Sequence, residues 1–177
     1  MTDAEFREAY GQHKDMLYRF AWRMTGSAAA AEDVVQECFL MVWRNVGHSR
    51  HGAAYDRERG TLRSFLIGVT RNLALKRMRR ERTFDELQEE TAICSPIDPE
   101  GRERGELVAQ AVAALPPLQR EALILAEYEE MALEEIARAT GAELAAVKSR
   151  LHRARENMRR LLAPLLETKG TAYGTRG

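Results

Sequence analysis

The chain has 177 residues, 45% of them hydrophobic and 31% charged, with a formal net charge of zero. That length allows one domain or two small ones, and the composition is that of a soluble globular protein. No apolar run approaches the length of a membrane span and the polar, acidic N-terminus is not a signal peptide, so a cytoplasmic protein is expected.

Ala, Leu, Glu and Arg dominate and proline is scarce, which predicts a mostly helical chain. The first helix is predicted over 6–24, with the apolar residues Phe6, Tyr10, Leu17, Phe20, Ala21 and Met24 at helical spacing. Thr25-Gly26-Ser27 breaks it. Ser27 can cap the next helix, although the cap could fall later in the Ala28 to Ala31 run. The second helix, through Val34 to Val46, carries two stripes. Val34, Val35, Cys38, Phe39, Val42 and Val46 make a core face. Asp33, Gln36, Glu37, Leu40 and Arg44 make a second, with Trp43 at its edge. Carboxylates, an amide and a leucine on one face suit either a solvated surface or a protein-docking surface, and spacing alone does not choose between them. His48 to Gly60 reads as a polar loop.

A long helix is predicted over 62–80. Leu62, Leu66, Val69 and Leu73 face inward, while Phe65, Gly68, Asn72, Lys76 and Arg79 share another face. Phe65 could stack on a base, Gly68 permits close approach, Asn72 could bond base edges and the cations could hold phosphates. The same pattern also fits a core-facing Phe65 with a solvated basic last turn. Asp85 to about Gly105 contains Pro96, Pro99, Gly101 and Gly105 with few large apolar residues, and reads as an acidic flexible linker, with a short helical turn near Phe84 to Glu90. Beyond it, Leu115 to Leu162 has helix-turn-helix spacing. Ile136 and Ala137 close the first helix, Gly141 allows the turn, and Val147 anchors the second helix. The outer face of that helix is basic through Lys148, Arg150, Arg153 and Arg155, which suits the major groove of DNA. The fold expected is all-α, two small helical domains: an N-terminal helical bundle over 1–84, a linker over 85–105, a helix-turn-helix domain over 106–167, and a disordered tail over 168–177.

The zero net charge hides two basic segments, Arg71 to Arg82 and Lys148 to Arg160, separated by an acidic connector. Cys38 and Cys94 lie far apart, form no metal-ligand spacing and fit free thiols in a reducing compartment. The histidines His13, His48, His51 and His152 are scattered, and Glu129-Glu130 and Glu134-Glu135 read as solvated or capping, so no catalytic residue, metal or cofactor is expected.

Three segments in order resemble one family. Ala31-Glu32-Asp33-Val34-Val35-Gln36-Glu37 with Trp43-Arg44-Asn45 is similar to the polymerase-binding segment of bacterial sigma factors. Tyr55-Asp56-Arg57-Glu58-Arg59-Gly60 with Arg71-Asn72-Leu73-Ala74-Leu75 is similar to their −10 element reader. Leu115-Pro116, Glu134-Glu135-Ile136-Ala137 and Val147 through Arg155 are similar to their −35 reader. Two domains and a short linker resemble the extracytoplasmic-function (ECF) class of alternative sigma factors. The resemblance implies a protein without catalytic activity that binds core RNA polymerase and directs it to promoter DNA, in a stress or signal response. It implies docking by Asp33, Gln36, Glu37, Leu40 and Trp43. It implies −10 contacts from Phe65, Arg71, Asn72, Lys76, Arg77, Arg79 and Arg80, and −35 contacts from Lys148, Ser149, Arg150, His152, Arg153 and Arg155. An anti-sigma factor, often membrane-linked in the family, is the expected antagonist, and no small-molecule substrate is implied.

The chain departs from the family in places. Phe65 stands where tryptophan is frequent and Ile67 where an aromatic is common. Gly141-Ala142-Glu143-Leu144-Ala145-Ala146 lacks the usual Val-Pro and Gly, and Glu143 would repel phosphates if it faced them. The competing function is a stand-alone helix-turn-helix transcriptional regulator, which accounts for the C-terminal domain and not for the mixed face of the second helix. A mimic that binds only the antagonist would be expected to lack the basic residues that both segments retain.

Overall fold

The computed structural model describes residues 2–45, 55, 60–85 and 104–167. Val46, His48, His51, Asp56 to Arg59, Cys94, most of the expected linker and the expected tail lie outside the described residues.

Three long helices build the N-terminal half. Helix α1 (Asp3–Thr25) begins earlier than its apolar stripe, because Thr2 and Glu5 form a reciprocal capping box. It ends at Gly26, whose φ of 72° is the left-handed conformation that glycine adopts without strain. Ser27 then caps α2 (Ala28–Asn45), its hydroxyl accepting from the Ala30 amide. Helix α3 (Leu62–Asp85) opens with the Thr61 hydroxyl accepting from the Ser64 amide. It runs past its expected end at Arg80, since no breaker stands there and Arg77 pairs with Glu81 one turn on, at 2.9 Å. Leu17, Phe20, Met24, Cys38, Leu66 and Ile67 are fully buried where the three helices meet. Ile67 is thus a core residue, not a surface platform.

The C-terminal half comprises α4 (Arg104–Ala114), α5 (Pro117–Leu123) continued by a π-helical turn (Ile124–Tyr128), α6 (Leu133–Thr140) and α7 (Leu144–Glu167). Pro117 suits the first turn of α5, where no backbone donor is missed. Gly141, at φ 65°, caps α6 in the left-handed conformation and lets the chain turn into α7. Ile136, Val147 and Leu151 close the helix pair. Burial of an aliphatic side chain of this size is worth about 1.5–3 kcal/mol. Buried residues form a continuous cluster through both halves, and α6 packs on α3 while α4 and α5 reach α1. Among the described residues there is no strand, and no helix is long and apolar enough to cross a membrane.

Candidate functional site

Three surfaces carry the polar residues that the sequence singles out. The first is the outer face of α2. Asp33, Gln36, Glu37, Leu40 and Trp43 are all exposed, Leu40 at 52% and Trp43 at 44%. Exposure of two large apolar side chains in one place is the informative feature, since a merely solvated face would not need them. Helix α1 extends this surface. Asp3, Phe6, Arg7 and Tyr10 line a groove of about 470 Å³ together with Gln36, Phe39, Leu40 and Trp43. Phe6 meets Trp43 edge-on at 4.8 Å, and Tyr10 meets Phe39 at 4.7 Å. Tyr10 is not the core residue its spacing suggests. It is 44% exposed, because it borders the groove rather than the three-helix centre. The spacing Asp3, Phe6, Arg7, Tyr10 is one helical face and was the available signal.

The second surface is α3. Asn72, Lys76, Arg79 and Arg80 are exposed, and Phe65 is half-buried against Tyr55 at 5.7 Å. Arg77 reaches back to Asp33 on α2 at 3.0 Å as well as to Glu81, and both carboxylates hold its guanidinium in the charged form, Glu81 foremost. Two members of the expected surface are covered. The Arg71 guanidinium is engaged by the buried Glu121 carboxylate, with a second bond at 3.2 Å, and it also donates to the Asn72 amide oxygen at 3.0 Å. A Cβ on Gly68 would stand 2.9 Å from the Ala139 carbonyl oxygen. The close approach that this glycine permits is therefore by the protein's own α6 backbone.

Further contacts follow the same seam. The Arg63 guanidinium donates to the Glu129 carbonyl at 2.7 Å and lies 3.5 Å from its carboxylate. The Ser64 hydroxyl donates to Glu135 at 2.6 Å. Arg120, almost fully buried, donates to the Met24 carbonyl at the end of α1 and to Ala113 and Leu115. The Arg23 guanidinium sits 4.2 Å over the Tyr128 ring. Glu129 and Glu135 are thus partners of the N-terminal half rather than solvated or merely capping groups.

The third surface is α7. Val147, Leu151, Ala154 and Leu161 are buried, while Lys148, Ser149, His152 and Arg153 are exposed on the opposite side. Arg150 is half-buried. Arg155 is exposed but turned toward the π-helical turn, where its guanidinium donates to Glu127 at 2.6 and 3.0 Å. His152 lies 3.5 Å from Glu156. Among the described residues no cluster of His, Cys, Asp and Glu is arranged to hold a metal ion.

Residues 9–84 match the family described as Sigma-70 region 2, and residues 105–158 match Sigma-70 region 4. The ECF RNA polymerase sigma factor SigL of Mycobacterium tuberculosis is 30% identical over 174 residues, 94% of this chain and 93% of that protein. The chain belongs to the ECF sigma factors. The ECF RNA polymerase sigma factor SigE of Mycolicibacterium smegmatis is 33% identical over 165 residues, covering 88% of this chain; the chain spans 61% of that longer relative. The fold is that of a solved sigma factor, RpoE of Bartonella quintana in complex with the anti-sigma factor NepR, at a TM-score of 0.68 over 90% of this chain and 97% of that one, with 24% identity.

Membership of this class makes the protein an alternative sigma factor, a transcription-initiation factor of RNA polymerase. A stand-alone helix-turn-helix regulator is not favoured, because region 2 accounts for the N-terminal half that such a regulator leaves unexplained. In sigma-factor terms, the mixed face of α2 and α3 up to residue 84 lie within region 2, while the helix-turn-helix of α6 and α7 lies within region 4 up to residue 158.

Proposed function

We propose that this sigma factor docks on core RNA polymerase through Asp33, Gln36, Glu37, Leu40 and Trp43, with Phe6 and Tyr10 completing the surface. The −10 strand is held by Phe65, Arg71, Asn72, Lys76, Arg77, Arg79 and Arg80. The −35 groove takes Lys148, Ser149, Arg150, His152, Arg153 and Arg155, among which Lys148, Ser149, His152 and Arg153 bear the base and phosphate contacts. The observation that carries this assignment is the division of labour on one chain. An exposed carboxylate-and-aromatic face lies on α2, and cationic faces lie on α3 and α7. The first suits a protein partner and the other two suit polyanions.

In this assignment residues 1–84 form the polymerase-binding and −10 domain, 106–167 the −35 domain, and 85–105 a connector. The protein catalyses no reaction itself and works in the cytoplasm on promoter DNA. An anti-sigma factor is its antagonist, a proposal supported by the solved relative being a sigma–anti-sigma complex.

The test is reconstitution. Purified protein added to core polymerase should start transcripts at specific genomic sites. Charge reversal at Asp33 and Glu37 should abolish initiation while leaving helical content unchanged, because both side chains are exposed. Tight, specific binding to duplex sites without any association with core polymerase would overturn the assignment.

A further inference from the structure

The cationic stripe of α7 continues past Arg155. Ser149, Arg153, Asn157 and Arg160 recur on successive turns of one face, and Arg159 stands beside Arg160. On the flank of this stripe a groove of about 560 Å³ opens between α5 and α7, lined by Gln119, Arg153, Glu156, Asn157, Arg159 and Arg160. Its guanidiniums outnumber its carboxylates three to one, and the single carboxylate, Glu156, lies 3.5 Å from the His152 ring.

The cations of this groove differ from others on the chain. Arg63, Arg71, Arg77 and Arg155 are each paired with a carboxylate of the protein itself. Arg153 and Arg159 are exposed and make no hydrogen bond or ion pair among the described residues. Arg160 is held by an amide instead of a carboxylate. Its guanidinium donates to the Asn157 amide oxygen, and the Asn157 amide nitrogen donates to Gln119 on α5 at 2.7 Å. Asn157 and Gln119 are half-buried, so this short chain of bonds restricts the rotamers of Arg160 without cancelling its charge. The groove is thus an ordered cationic site whose charge is left for an outside anion.

Position along the helix indicates which anion. At 1.5 Å per residue, Lys148 to Arg153 spans about 8 Å, within the major groove's width of about 12 Å, and Arg160 lies about 10 Å beyond Arg153. A recognition helix meets base edges with its N-terminal residues. Cations that far along the same helix pass the rim of the groove, where phosphates and not bases are met.

We propose that Arg159 and Arg160 grip backbone phosphates of the duplex adjoining the −35 element, a site continuous with Arg153 and resting on the assignment of α7 to the −35 groove. Asn157 and Gln119 are positioning residues that aim Arg160. The grip adds affinity without sequence preference, because every duplex presents the same phosphates.

Salt dependence of the full chain's binding to a short labelled duplex of mixed sequence, read by anisotropy, tests this. Each phosphate contact contributes about 0.9 to the slope of log affinity against log salt. Arg159→Ala with Arg160→Ala should make that slope shallower by about two and weaken binding roughly tenfold at low salt, with helical content unchanged since both side chains are exposed. Asn157→Ala should lower affinity roughly twofold at an unchanged slope, because Arg160 keeps its charge and loses only its aim. Arg19→Ala, an exposed cation on α1, is the control and should change neither. A double variant no different from the control, beside a slope that Lys148→Ala does make shallower, would overturn the phosphate grip and leave the groove to an acidic protein segment. No change from the double variant or from Lys148→Ala would overturn the −35 assignment itself. Tripolyphosphate bound more tightly than the duplex, and lost with the two arginines, would make this a site for a free polyphosphate and overturn the duplex assignment.

Discussion

At the scale of single residues, α7 has a buried side that holds the fold and an exposed side proposed for −35 recognition. Val147 is 1% exposed beneath the turn at Gly141, whereas Arg153 points away from it and is exposed. Val147→Asp buries an unpaired charge and should cost about 3 kcal/mol or more, seen as loss of the C-terminal half's helical signal on mild heating. Arg153→Ala should keep the thermal transition and weaken −35-dependent initiation by an amount worth about 1–3 kcal/mol. Cys38 makes a different prediction. Burial pushes its thiol up to about 11, from an ordinary value near 9. The folded state therefore holds this proton when the unfolded state has released it, so the contribution is complete below pH 9 and fades as pH rises toward 11. Urea midpoints at pH 8 and pH 10.5 should fall further for wild type than for Cys38→Ala. Cys38, Val147 and Gly141 were legible in the sequence because each is defined by near neighbours on its own helix or turn. Glu121, Glu129 and Glu135 were not. Their partners lie 50, 66 and 71 residues away, and no local period reports a contact across that distance.

At the scale of elements, the α1–α2 pair explains why the proposed docking face was only half visible. The stripe Asp33, Gln36, Glu37, Leu40 is complete within α2, so its spacing exposes it. Phe6 and Tyr10 belong to it only because α1 packs alongside, and on α1 alone they continue the apolar series that ends in the buried Leu17, Phe20 and Met24. Tyr10→Ala removes an exposed ring from the rim of the groove, and its edge-on partner Phe39 is already buried. It should lower affinity for core polymerase by roughly fivefold or more, as loss of an aromatic anchor does, with little change in melting temperature. Unchanged affinity in a binding titration would confine docking to α2. The extent of α3 shows the converse limit. Its start was legible from Thr61 and Ser64, whereas its end depends on the Arg77–Glu81 pair and the absence of a breaker, which periodicity does not weigh.

At the scale of the whole molecule, the two surfaces of region 2 are not independent. Arg77 on α3, the helix proposed to hold the −10 strand, shares its guanidinium between Glu81 and Asp33, and Asp33 stands on the face of α2 proposed to dock on polymerase. A polymerase cation that takes Asp33 leaves Arg77 with one carboxylate fewer and more of its charge available to a phosphate. A strand that takes Arg77 likewise frees Asp33 for polymerase. The two affinities must then change by the same factor, since a coupling free energy has no preferred direction. Asp33 is exposed and Arg77 partly so, and solvent screens the pair, so that factor should be small, roughly two- to fivefold. It should vanish in Arg77→Met, measured as the ratio of strand affinities with and without polymerase. On the proposed assignment, a single side chain at the boundary between two faces links their occupancies, and polymerase already bound should tighten the grip on the strand not yet melted.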